Sequence, residues 1–360
     1  MRVADLIIVA ALALLWYCVI PLLGIFFDRN NWHKFRRCFD DLRQAPLLNY
    51  TSLHRSTEPA YRFTGSFESI SDKNILWIRG ENITVPVNLI EAQIYLFSLS
   101  GIQAEVKRIH WNKITTLIEG GRVYVGGSLR MHNDRLVFSG TKKEPIIIIF
   151  YGDNDRSLNE RVLWAGRNNN QYFNSITPYS LAAGTFSFLC IAFSFLNRPA
   201  FRLTVLIATL AIFIPLFPVL PPGILFTSLY SKLWRQTRTL RSYRDTIATL
   251  LRYENQYLPD GEYYGSVRVD KMPADLPSLV QIRGKNTEWT IFGVIRKDSP
   301  LPVEPSDFAA LYGFIPGSPE QLSRFYTTAA SILSVIAVLF LVAGIALNIF
   351  FIALLISRIS

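Results

Sequence analysis

The sequence predicts a polytopic α-helical membrane protein: four transmembrane helices carrying β-rich extramembrane modules of small-barrel or sandwich-like type. Three observations predict it. Four long apolar segments carry no ionisable group away from their ends. Two polar stretches between them alternate apolar and polar residues with the period of two that strands require. Finally, 50% hydrophobic residues with a mean hydropathy of +0.24 are too apolar for an ordinary soluble chain, while 18% charge is too much for a chain wholly in lipid.

The first segment, placed at 5–27, contains Trp16 and Tyr17 and is followed by Asp28-Arg29-Asn30-Asn31 in place of a small-residue cleavage site, so it is a retained anchor. The second, 178–197, opens at Thr177-Pro178, where a missing amide costs nothing, and closes at Asn197-Arg198-Pro199. The third, 202–230, is proline-rich. Pro215, Pro218, Pro221 and Pro222 remove backbone donors, and broken backbone survives in lipid only where neighbours satisfy the freed carbonyls. Either this stretch hinges or lines a cavity, or the helix ends early and Pro218 to Pro222 is interfacial loop; the short apolar run before Pro215 favours the loop. The fourth, 325–358, exceeds a hydrocarbon core of ~30 Å at ~1.5 Å per residue, so it must tilt or protrude. Gly344 is the expected bend and Asn348 the only amide within it.

Between the anchors, residues 28–177 form the first β-rich domain. A short helix over Phe35–Gln44 is expected to end before Pro46. Strands are expected at Tyr61–Glu68, Asn74–Arg79 and Thr84–Asn88, the last an edge strand because of Pro86. Ala92–Ser98 fits strand or helix equally. Arg122–Arg130 and Arg135–Phe138 flank a His132-Asn133-Asp134 turn as a hairpin, and Pro145–Tyr151 reads as a strand buried on both faces. Residues 231–256 form a basic amphipathic helix, with Leu229, Leu233, Leu240, Tyr243, Ile247, Leu250 and Leu251 on one stripe and Arg235, Arg238, Arg241 and Arg252 opposite. Residues 257–324 form a second small β-rich module. It repeats part of the first: Tyr264-Gly265-Ser266-Val267 matches Thr64-Gly65-Ser66-Phe67, and Ile282-Arg283-Gly284 matches Ile78-Arg79-Gly80. Either the repeat is an internal duplication or two hairpins share a short pattern. Four or five strands bury too little alone, so the second module is expected to pack on the first.

The net charge of +10 would suggest nucleic acid in a soluble protein, yet the bases crowd beside apolar segments and no recognition motif accompanies them, so no nucleic-acid partner is expected. Arg29, Lys34, Arg36, Arg37 and Arg43 follow the first segment, which places the amino terminus outside and both polar regions in the cytoplasm of a bacterial inner membrane. Three cysteines give no disulfide framework and no metal spacing. His33, His54, His110 and His132 are scattered, there is no Gly-x-Ser-x-Gly elbow or phosphate-cradling glycine loop, and Asp153-Asn154-Asp155 reads as a turn. No catalytic, cofactor or metal residue is nominated.

The nominated contact residues are basic and amide groups: Arg167, Asn168 and Asn170 before the second segment, and Arg235, Arg238 and Arg241 after the third. Each set suits an anionic headgroup or a protein partner; the first also suits an ordinary polar interfacial linker, and the second a solvated arginine face on a helix whose leucine stripe packs on the neighbouring domain. The order of membrane helix, β-module and membrane helix resembles the membrane-adjacent domains of certain membrane-anchored ubiquitin ligases and small barrels tethered to bacterial membrane proteins. The ring-type cysteines and histidines of those ligases are missing, so the resemblance implies no activity. The expected function is an integral membrane scaffold or assembly subunit that docks a protein partner or a second copy. The alternative is a membrane-embedded enzyme or lipid-handling protein using the broken third segment and the Arg/Asn-rich entry to the second.

Overall fold

A computed structural model describes residues 3–49, 60–71, 74–98, 106–112, 120–132, 135–152, 157–168, 171–258, 261–272, 275–280 and 288–359. The chain divides into two compact units, one of Met1–Asn31, Arg167–Arg241 and Phe325–Ser360, the other of Trp32–Gly166 and Ser242–Arg324.

The first unit holds the apolar helices. Helix α1 (Val3–Leu14) runs through a π-helical turn, Leu15–Val19, into α2 (Ile20–Arg43). Pro21 explains the irregularity: it has no amide to give the carbonyl of Tyr17 four residues back. That carbonyl accepts instead from the Tyr172 hydroxyl at 2.6 Å, the Trp16 carbonyl accepts from the Ser180 hydroxyl, and the Pro21 carbonyl accepts from Asn174 Nδ2 at 2.9 Å. Helices α4 (Thr177–Phe195) and α5 (Arg202–Ile212) form the hairpin, joined through a 3-10 turn at Pro199–Phe201. Gly184 lets α4 approach the π-turn, since a Cβ there would stand 2.7 Å from the Tyr17 ring and 2.8 Å from Trp16 Cβ. Val9, Tyr17, Phe188, Ala208 and Ala211 form the buried cluster, while Phe193 is 82% and Leu339 62% exposed. Apolar surface that open fits lipid as its solvent. Among the described residues four helices are long and apolar enough to cross a membrane: Ile7–Arg43, Thr177–Phe195, Pro199–Leu216 and Pro319–Ile352.

The third segment is not one helix over 202–230. After α5 comes a 3-10 turn, Ile214–Leu216, then turns with a cis Pro221–Pro222 bond, and α6 begins at Gly223 and runs to Tyr253. Prolines remove the amides that would continue the ladder, as the loop alternative required. The basic helix therefore starts before residue 231. The Phe217 carbonyl, which Pro221 leaves without a helical amide, accepts from Asn348 Nδ2 at 2.6 Å; the Leu220 carbonyl, already bonded by the Ile224 amide at 3.1 Å, shares that donor at 3.3 Å, and Asn348 is 3% exposed. A Cβ on Gly223 would lie 2.2 Å from the Phe217 carbonyl and 2.3 Å from Asn348 Nδ2. Helix α7 (Pro319–Ile359) stays helical through Gly344. Gly344 serves close packing: a Cβ there would be 2.7 Å from Phe226 Cβ.

The second unit is built on a nine-stranded sheet: β1 (Tyr61–Ser71), β2 (Ile75–Arg79), β3 (Thr84–Asn88), β4 (Gln93–Phe97), β5 (Val106–Ile109), β6 (Arg122–Gly127), β7 (Leu129–His132), β8 (Arg135–Phe138) and β9 (Ile147–Tyr151). Its order is β5-β4-β9-β6-β1-β2-β3-β8-β7. Strand β9 is the clearest case of period two: Ile148 and Phe150 enter one core cluster, and Ile147, Ile149 and Tyr151 the other. Phe35, Phe39 and Leu42 of α2 cover the second cluster with Leu158 and Val162 of α3 (Ser157–Trp164). They recur at helical spacing, so the chain beyond Phe27 has no reason to leave the helix. The expected short helix over 35–44 is thus the end of α2, and residues 28–43 belong to it.

Three strand readings change. Ala92–Ser98 resolves to β4. Pro86 is not on an edge, since β3 lies between β2 and β8; among the described residues, however, β8 meets β3 at Val87↔Phe138 alone, so the missing amide disturbs little. Arg122–Arg130 is two strands. It breaks at Gly127, whose φ of +152° and close approach to Ile146, 2.4 Å from an added Cβ, exclude a side chain. Strand β6 then pairs with β1 and β9, and β7 with β8. Asn133-Asp134 and Asp153-Asn154-Asp155 lie outside the described residues.

A four-stranded sheet, β10 (Gln256–Tyr257), β11 (Tyr263–Val269), β12 (Trp289–Val294) and β13 (Gly313–Pro316), shares this unit with the nine-stranded one. The proposed repeat gains no support, as Ile282-Arg283-Gly284 falls outside the described residues. What joins the sheets is a buried charged clasp. Arg62 of β1 donates from Nη1 to Asp307 Oδ1 at 2.8 Å, from Nη2 to Oδ2, and from Nε to the Ala45 carbonyl at 2.7 Å. Beside it Arg43 donates to the Tyr253 hydroxyl at 3.0 Å and to Asn159 Oδ1 at 3.2 Å, and Asn159 donates onward to the carbonyls of Phe308 and Ala309. Burial pushes the Tyr124 and Tyr264 hydroxyls far above the usual phenol range.

Candidate functional site: an interfacial arginine cluster and an open groove

Two places bring nominated or chemically versatile side chains together. The first is in the helical unit. Helix α6 carries Arg235, Arg238 and Arg241 one turn apart, and the turn after α3 carries Arg167 and Asn168. The structure joins the two sets that the sequence left separate. Arg238 Nη1 donates to the carbonyls of Arg167 and Asn168 at 3.4 and 3.3 Å and to Asn168 Oδ1 at 3.2 Å. Its Nε is buried and has no hydrogen-bond partner among the described residues. Burial first, and then the charge of Arg235, lowers the guanidinium below the ordinary arginine range. Arg235 is exposed, and Arg241 places Cζ 5.7 Å above the Trp234 ring, which stacks on Tyr230 at 5.6 Å. Asn170 lies outside the described residues.

Sequence reading missed Tyr172 and Asn174 as anchors. Their amide and phenol stand in a run read as a plain polar entry, and the clue was Pro21, which orphans a carbonyl in the facing helix. Burial, followed by the neighbouring Cys18 and Tyr17, pushes the Tyr172 hydroxyl up to about 12, so it stays a neutral donor. Asn174 Oδ1 accepts from the amides of Ile176 and Thr177 at 2.9 and 3.2 Å, capping α4 while its amide holds Pro21.

The second place is a groove of about 670 Å³ at the β5 edge of the large sheet. Ile90, Arg108, His110, Trp111, Lys142 and Pro145 line it. Ile90 is 52% exposed, and the His110 and Trp111 rings lie 5.7 Å apart. No family model, curated protein or solved structure matches this chain. Among the described residues no group of three or more His, Cys, Asp or Glu side chains could hold a metal ion. In the buried clasp Arg62 and Asp307 hold each other in an ion pair.

Proposed function

We propose that this protein is an integral membrane scaffold or assembly subunit, and that its β-rich unit docks a protein partner through the groove beside β5. The groove is the observation that carries the reading. A concave site that combines an exposed isoleucine, a tryptophan, the cations Arg108 and Lys142 and the single carboxylate Glu91 carries a net positive charge and suits an apolar anchor flanked by acidic residues. The clasp supports the reading as well, because a rigid unit presents its surface without an ordering cost. In this reading the unit lies in the cytoplasm, since the bases following the first and third apolar segments favour that side.

Affinity purification of the full chain from native membranes, with the Arg108→Glu/Lys142→Glu variant alongside, tests it. A stoichiometric protein recovered with the natural chain and depleted at least tenfold with the variant is the expected result. Equal recovery with both chains, or a chain that purifies alone, would overturn the reading.

A further inference from the structure

Arg235 and Arg238 carry two positive charges one helical turn apart, and among the described residues no carboxylate lies within ion-pair distance of either. Like charges at that spacing repel on a bare helix. Arg238 compounds the problem. It is half-buried, its Nη1 is given to neutral oxygens, and its Nε has no partner among the described residues. A desolvated cation held only by neutral acceptors is a site that an anion would complete. Which anion follows from the surroundings. The cluster stands on the helix that leaves the proline-broken apolar segment, one turn beyond the stacked pair Tyr230 and Trp234, and such aromatics settle at headgroup level. Phospholipid phosphates are concentrated at that depth, and a guanidinium fork matches the oxygens of a phosphate.

We propose that Arg235 and Arg238, flanked by Trp234 and Tyr230, bind the phosphate of an anionic phospholipid. The lipid neutralises the pair, and its tails lie along the apolar hairpin. This inference rests on the membrane reading of the apolar helices and not on the docking of a protein partner, so either can fail without the other.

The test is a titration of the full chain in a mild non-ionic detergent with phosphatidylglycerol, and separately with phosphatidylcholine, counting bound lipid by native mass spectrometry. Each interfacial arginine is worth about a fivefold gain in affinity, so Arg235→Gln/Arg238→Gln should weaken phosphatidylglycerol binding about 30-fold while the double lysine variant keeps most of it. Because Arg238 also holds the Asn168 turn, the single Arg235→Gln change at an exposed position is the cleaner probe; it should cost about fivefold with an unchanged melting temperature. Unaltered binding in Arg235→Gln, equal binding of the two lipids, or complete displacement of the lipid by millimolar inorganic phosphate would each overturn the proposal.

Discussion

Substituting Asp307 by Asn keeps the volume of the side chain and removes its charge, leaving Arg62 charged where its side chain is 1% exposed. The Asp307 carboxylate does three things at once: it accepts both Arg62 Nη groups and the Ala309 amide, the last at 2.9 Å. Breaking a buried ion pair from one side costs about 3–5 kcal/mol, because the remaining charge has neither water nor partner. Asn retains one acceptor, so the lower end is expected for Asp307→Asn and the upper end for Asp307→Ala. For a unit of roughly 200 residues each kcal/mol moves Tm by about 2–4 °C, which gives a drop of about 6–20 °C. Tryptophan fluorescence during heating of the detergent-solubilised chain measures it. The paired change Arg62→Met/Asp307→Leu should recover much of the loss, because an apolar replacement leaves no orphaned charge. A loss under about 1 kcal/mol in Asp307→Ala, or no recovery in the paired variant, would refute the argument that desolvation governs this clasp.

Asn348→Leu strips the partner from the Phe217 carbonyl and should cost about 1–3 kcal/mol, seen as a lower midpoint in thermal unfolding, whereas Asn348→Gln should fail to restore it because Gly223 leaves no room. Burial raises the Glu262 carboxyl, but hydrogen bonds from the Ser306 amide and hydroxyl and from Arg296 outweigh it, leaving the group below its ordinary value of 4.5. A depressed carboxylate adds stability above its unfolded pKa that is lost as pH falls through the folded one, so Glu262→Gln should be less stable than the natural chain at pH 7 and nearly equal to it well below pH 4.5; parallel melting curves across pH would expose a constant gap if the reasoning is wrong. For orientation, single cysteines at Ser71 and Ser299 should resist a membrane-impermeant maleimide in intact cells and react after lysis. Efficient labelling of both in intact cells would invert the topology.

The apolar helices were legible because length and missing charge are one-dimensional properties that a sequence carries outright. Strand β9 was legible for a related reason: five apolar residues in a row fit a strand buried on both faces. The course of the chain after Phe27 was misjudged because a change from apolar to polar residues looks like the end of a helix, although Phe35, Phe39 and Leu42 kept the helical period throughout. The split at Gly127 turned on a contact with Ile146, invisible without the neighbouring strand. The arginine cluster was half legible. Each set of residues stood out by charge, but their meeting through Arg238 and Asn168 joins positions 70 apart. The clasp was not legible at all, since Asp307 and its partner Arg62 lie 245 residues apart.

Asn348 raises a matter of timing. Phe217 precedes it by 131 residues, and at about 5–20 residues per second a ribosome takes roughly 7–26 s to cover that distance. Throughout that interval the Phe217 carbonyl, which Pro221 leaves without a helical amide, has been synthesised and its side-chain donor has not. Until α7 arrives that carbonyl needs water or another donor, so Asn348 ties the closing of the proline turn to the arrival of α7.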